Sequence, residues 1–191
     1  MNEGALKEEI FRVTKVLKDG GVILYPTDTI WGIGCDARNE AAVQRIYQLK
    51  NRAEEKSMLI LVDNENRLNR YVKSIPEAAW DLIEYSDKPL TIVFDGAMGV
   101  SPSIISVDGS LGVRVVKEGF CHRMLHRFGH AVVSTSANIS GEPSPTSFGQ
   151  ISAQIKASVD YVVGESFSPR AGKPSTIIKL TSDSKITILR E

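Results

Sequence analysis

Short apolar runs separated by segments of helical period dominate this chain, and that alternation restricts its fold more than any other feature. Val22 to Tyr25, Met58 to Val62, Leu90 to Phe94, Leu111 to Val116 and Ala131 to Val133 each read as a strand. Met58 to Val62 is apolar without a break, as a central strand should be. Between the runs, Leu6, Ile10, Val13 and Leu17 mark a helix from Ala5 to about Lys18, closed by Gly20 and Gly21. Val43, Ile46 and Tyr47 mark one face of a second helix starting near Glu40. Further helices are expected at Glu65 to Val72, Pro76 to Tyr85, Phe120 to Phe128 and through Phe148, Ile151 and Ile155. The last strands, Tyr161 to Val163, Thr176 to Leu180 and Ile186 to Leu189, come nearly in succession. That order argues for an α/β (α+β-like) arrangement around a mixed sheet and against a clean doubly wound one. No repeat or linker divides the 191 residues, so residues 1–191 are expected to form a single domain.

Lys and Arg number 23 against 23 Asp and Glu, so no global field marks a nucleic-acid or membrane binder, although a local basic patch stays open. Cys35 and Cys121 are the only cysteines and stand at no metal spacing, which fits free thiols in a reducing compartment. The start of the chain leads straight into a charged amphipathic pattern, and no apolar run approaches the ~20 residues of a membrane helix. A cytoplasmic protein with no membrane partner is expected.

Five stretches can carry chemistry. Ser134 to Ser144 follows a strand with hydroxyls, a carboxamide, Gly141 and Pro143; if extended, Ser134, Ser136 and Asn138 share one face. They can meet a polar ligand, or form a turn that satisfies its own backbone. Tyr25 to Gly34 carries Thr27, Thr29 and Trp31 on one face if it stays extended, or else is a strand exit with a capped turn. Lys50, Arg52 and Lys56 either converge on a phosphate or end a helix in solvent, neutralised by Glu54 and Glu55. Arg114 lies within an apolar strand, so it must pair with an internal carboxylate or face a ligand. Ser175 sits in a further loop that delivers hydroxyls to a strand start. His122, His126 and His130 are spaced four apart, which can hold a metal but more simply makes a polar helix face; no metal site is assigned.

Taken in order, these stretches resemble the YrdC-like family of threonylcarbamoyl-AMP synthases. Pro26-Thr27-Asp28-Thr29-Ile30-Trp31-Gly32-Ile33-Gly34 is similar to the family's Pro-Thr-Asp/Glu-Thr-x-Tyr-Gly-Leu-Gly. Lys50-Asn51-Arg52 matches Lys-x-Arg, Ser136-Ala137-Asn138 matches Ser-x-Asn, and Gly112-Val113-Arg114 and Pro174 to Ile177 match the remaining motifs. The likeness runs from Ala5 to Arg190, and the ordered set is far more specific than any one motif. Ala53, Ser57-Met58 and Leu61 depart from the family pattern.

The resemblance implies a twisted mixed sheet with helices packed outside and a concave ligand cleft. It also implies a nucleotidyltransferase joining L-threonine, bicarbonate and ATP into threonylcarbamoyl-AMP with release of pyrophosphate. Mg²⁺ would accompany the ATP. A downstream threonylcarbamoyl-transferase complex would then modify tRNA. By motif position, Lys50 and Arg52 are expected to be catalytic, and Lys50, Arg52, Lys56, Ser110, Ser136, Asn138, Ser144 and Arg190 to bind ATP. Thr29, Arg114, Ser134 and Ser175 are expected to bind threonine. The stretch from Gly164 to Pro174, with Arg170 and Lys173, is expected to act as a lid. Two other functions compete: an RNA-binding module without ATP turnover, and a different nucleotide-dependent carbamoyl-transferring enzyme.

Overall fold

A computed structural model describes residues 3–51, 58–168 and 173–191. Helix α1 (Glu3–Lys18) buries Leu6, Ile10, Val13 and Leu17, the stripe that its period announces. It stops where Gly20 takes φ +82° and Gly21 donates its amide to the Val16 carbonyl. Strands β1 (Ile23–Pro26) and β2 (Trp31–Gly34) form an antiparallel hairpin. The extended reading of this stretch is therefore corrected. Thr27 closes a turn, its amide donating to the Ile30 carbonyl while its hydroxyl accepts from the amides of Thr29 and Ile30.

Helix α2 (Glu40–Lys50) starts on Asn39, whose side chain accepts from the Ala42 amide, and ends on Asn51 in the left-handed region at φ 48°. Strand β3 (Leu59–Val62) follows, then a 3₁₀ turn at Glu65–Arg70 where an α-helix was expected. Next come α3 (Ala78–Glu84), β4 (Leu90–Phe94), β5 (Leu111–Val115), α4 (Gly119–Phe128) and β6 (Val132–Ser136). The expected helix through Phe148 divides into a 3₁₀ turn at Phe148–Gln150 and α5 (Ala153–Ser158), which Ser152 caps. Strands β7 (Tyr161–Val162), β8 (Thr176–Leu180) and β9 (Ile186–Arg190) close the chain.

The strands make one 9-stranded mixed sheet in the order β7-β1-β2-β6-β3-β5-β4-β8-β9. β3 and β5 run parallel at its centre, as do β4 and β8, while hairpin neighbours run antiparallel. One face carries Ile60, Val113, Ile92 and Val133 into a continuous core over which α1 and α4 pack. The register puts the alternate residues on the other face: Gly32 and Ser136, Leu59 and Ser134, Gly112 and Arg114, Thr91 and Val93, Ile177 and Arg190. This second face is concave. The sheet and its outer helices match the expected mixed architecture. No described helix is long and apolar enough to cross a membrane.

Candidate active site

The concave face lines a cavity of about 500 Å³. Two guanidiniums reach it, from Arg114 on β5 and Arg190 on β9; β6 supplies the hydroxyls of Ser134 and Ser136, the β1–β2 turn that of Thr29 and the loop before β8 that of Ser175. Ser144 stands at its exposed rim. Thus the cavity gathers seven of the sequence-expected residues, from four separate motifs.

Arg114 is 4% exposed, and one of its Nη atoms lies 3.0 Å from Asp28 Oδ1. Both readings of this arginine hold together: it pairs with an internal carboxylate and it faces the cavity. Its Nε is buried without a hydrogen-bond acceptor among the described residues. Arg190 donates from Nε and Nη2 to the Ser175 carbonyl, at 3.2 and 2.8 Å, and so joins β9 to the loop entering β8. Partial desolvation first, and then the like charge of Arg114, lower the pKa of the Arg190 guanidinium. Two cations therefore share one cleft, and an anion between them would relieve that repulsion.

The hydroxyls are held in place. Thr27 Oγ1 and Thr29 Oγ1 are 2.9 Å apart, as Thr91 Oγ1 and Ser175 Oγ are at 2.8 Å. Thr27 and Trp31, named with Thr29 in the sequence, line the cavity too, whereas Thr91 and Ser106 line it without having been expected there. Thr91 had a signal in the sequence, as a polar residue alternating with the buried Ile92 in a strand; Ser106 had none. Apolar walls from Ile30, Trp31, Met58, Leu59 and Leu189 complete the lining. Trp31 packs on Phe148 at 4.9 Å between ring centroids.

Three expected residues stand differently. Lys50 is not aimed into the cavity: its ammonium is 1% exposed and donates to the carbonyls of Ser136 and Asn138, both at 2.5 Å. The Ser140 amide donates back to the Lys50 carbonyl. Asn138 lies past the end of β6, so the shared face with Ser134 and Ser136 stops at Ser136. Its amide is spent locally, accepting from Ser136 Oγ and donating to the carbonyls of Ile139 and Glu142. Ser110 donates to Asp108 Oδ1 at 2.6 Å and does not line the cavity. Arg52 and Lys56, and Arg170 of the expected lid, lie outside the described residues.

The histidines do not share one helix face. His122 and His126 stack at 6.3 Å on α4, but His130 follows the helix-ending Gly129. His126 Nδ1 lies 3.1 Å from Asp63 Oδ2, and among the described residues no cluster has the ligands for a metal. Cys35 and Cys121 are buried free thiols, and desolvation pushes the pKa of both up.

A mixed sheet whose concave face joins two guanidiniums to fixed hydroxyls and apolar walls has the chemistry to receive a small polar anion. The family model Sua5_yciO_yrdC, described as "Telomere recombination", matches residues 15–191, and the chain belongs to that family. It is 32% identical over 161 residues to the threonylcarbamoyl-AMP synthase of Idiomarina loihiensis, covering 83% of this chain and 86% of that protein. The same-named protein of Pseudoalteromonas translucida is 33% identical over 164 residues, covering 84% and 87%. Among solved structures, P. abyssi Sua5 complexed with L-threonine matches with a TM-score of 0.86 and 28% identity over 95% of this chain. This chain spans only 53% of that protein. E. coli YciO, 22% identical with a TM-score of 0.81 over 95% of this chain and 88% of its own, shares the fold.

Proposed function

We propose that this chain is a threonylcarbamoyl-AMP synthase, forming the adenylate and pyrophosphate from L-threonine, bicarbonate and ATP. The observation that carries this reading is the concave face itself, where Arg114 and Arg190 stand beside the hydroxyls of Thr29, Ser134 and Ser175. Family membership and the two synthases named above support it.

The chemistry suits such a site. The neutral amine of threonine attacks the bicarbonate carbon and water leaves, giving a carbamate whose oxygen attacks the α-phosphorus of ATP and expels pyrophosphate. An anion must approach a centre ringed by negative oxygens, so the protein's work is to cancel charge and align the reactants. Arg114 would bind the threonine carboxylate, and Thr29, Ser134 and Ser175 would bond its polar atoms. Ser136, Ser144 and Arg190 would meet the nucleotide, with Arg52 and Lys56 on its phosphates. Lys50 and Asn138 would contribute by shaping the loop after β6, since their polar groups are spent within it. No Asp or Glu is among the described residues lining the cavity, so Mg²⁺ would enter as part of the ATP substrate. The product would pass to a threonylcarbamoyl-transferase complex acting on tRNA, in a cytoplasmic setting.

Product mass is the test. Incubation with ATP, bicarbonate and single amino acids should give an adenylate carrying a carbamoylated amino acid, with threonine preferred. An adenylate formed without an amino acid would favour a different carbamoyl-transferring enzyme. Salt-dependent RNA binding with no nucleotide turnover would favour the RNA-binding module.

A further inference from the structure

Asp28 has no assigned part in this site, yet it is the only ion-pair partner of Arg114 among the described residues. It sits in the turn between β1 and β2, whereas Arg114 is in the middle of β5. β2 and β5 are three places apart in the sheet, about 14 Å at the usual strand spacing. The 3.0 Å contact therefore ties the hairpin tip to a distant strand through the long arginine side chain and the curl of the sheet. Both partners are largely enclosed, with side chains 4% and 15% exposed.

The pair also divides two cavities. Arg114 lines the main cleft, while Asp28 lines a second cavity of about 450 Å³ beside Asp87, Lys88, Lys117 and Glu118. Of those, Lys117 is committed elsewhere, donating to the carbonyls of Glu84 and Ser86. Arg114 is thus ion-paired to a carboxylate on the far side of the main cleft, with Asp28 Oδ1 making no hydrogen bond among the described residues, while its side chain lines the cleft itself.

We infer that Asp28 is a positioning residue that aims Arg114 at the carboxylate of the amino-acid substrate. The inference rests on the proposed function. A guanidinium paired with an enclosed carboxylate at 3.0 Å is confined by charge to one side and keeps donors free, Nε among them, for planar recognition of a second carboxylate. Burial raises the pKa of Asp28, while the charge of Arg114 opposes that rise. Without the carboxylate, Arg114 can swing, and both the hairpin tip with Thr29 and the guanidinium lose their relative placement.

Calorimetric titration separates this from general damage. Asp28→Asn should weaken L-threonine binding by about 10-fold or more, and leave the affinity for a non-hydrolysable ATP analogue within about 3-fold. Asp28→Glu, which keeps a carboxylate, should retain threonine binding within several-fold of the starting protein. In an Arg114→Met background, adding Asp28→Asn should change threonine affinity by less than about 2-fold, because the two residues act as one unit. An Asp28→Asn protein that binds threonine as tightly as the unmodified chain overturns the inference while leaving the proposed function standing. Equal loss of threonine and ATP-analogue binding also overturns it, by showing a role in the fold alone. An unmodified chain that binds no threonine overturns the functional reading, and this inference with it.

Discussion

Lys50 belongs to the expected Lys-x-Arg motif, yet its side chain does not line the described cavity. Its ammonium is buried and donates to the carbonyls of Ser136 and Asn138, so it braces the loop that presents the Ser-x-Asn segment. Lys50→Met would leave those carbonyls short of a donor, at a cost of about 1–3 kcal/mol that denaturant unfolding should detect. A variant of unchanged stability would contradict the bracing role. Arg190 offers the complementary case. It bonds only a carbonyl within the described residues, so Arg190→Ala should spare the fold and weaken nucleotide binding by roughly 1.5–3 kcal/mol, or about 10- to 150-fold. Unchanged affinity in a titration with an ATP analogue would move the nucleotide away from β9. At this scale the sequence was informative where alternation along a strand fixes the face, as for Ser134, Ser136 and Arg114. It was silent on Lys50 and Asn138, whose partners come from chain folding back on itself, 86 residues away in the case of Lys50 and Ser136.

Elements were legible where the hydrophobic period was strong, as in α1, β4 and β8, and obscure where packing overrides propensity. β2 was missed because Trp31-Gly32-Ile33-Gly34 carries two glycines, which weaken a strand on intrinsic grounds. The packing explains Gly34: a Cβ there would lie 2.3 Å from the Val133 carbonyl oxygen and 2.8 Å from the Tyr25 ring. Gly34→Ala should therefore destabilise the protein by about 3 kcal/mol, seen as a lower denaturant midpoint. A midpoint within experimental error of the parent would show that β1 and β6 can part without penalty. The start of α2 gives a prediction in pH. Glu40 accepts hydrogen bonds from Ser101 and Ser103, and these hold its pKa down at about 2. A depressed carboxylate stabilises above its unfolded value of about 4.3 and loses that contribution as pH falls towards its folded value. The stability gap between the parent and Glu40→Gln should thus shrink from pH 5 towards about pH 2. Solvent screening at this exposed site keeps the gap small. A gap that widens on acidification would reverse the assignment.

The whole molecule is a sheet with two different jobs on its two faces. One face, under α1 and α4, is apolar and supplies stability; the other is concave and brings together residues from β2, β6, β5, β8 and β9. The alternation of strand and helix announced a mixed sheet, but the strand order that unites these residues is a tertiary fact. Arg114 and Arg190 are 76 positions apart in sequence and share one cleft only because β5, β4, β8 and β9 are successive neighbours. If the proposed function holds, this cleft adenylates a carbamate of threonine. The most direct measurement follows phosphorus products from ATP and Mg²⁺ while threonine and bicarbonate are supplied singly and together. Pyrophosphate should appear only when both are present; release of ADP and inorganic phosphate, or of pyrophosphate with either one omitted, would overturn the proposed reaction.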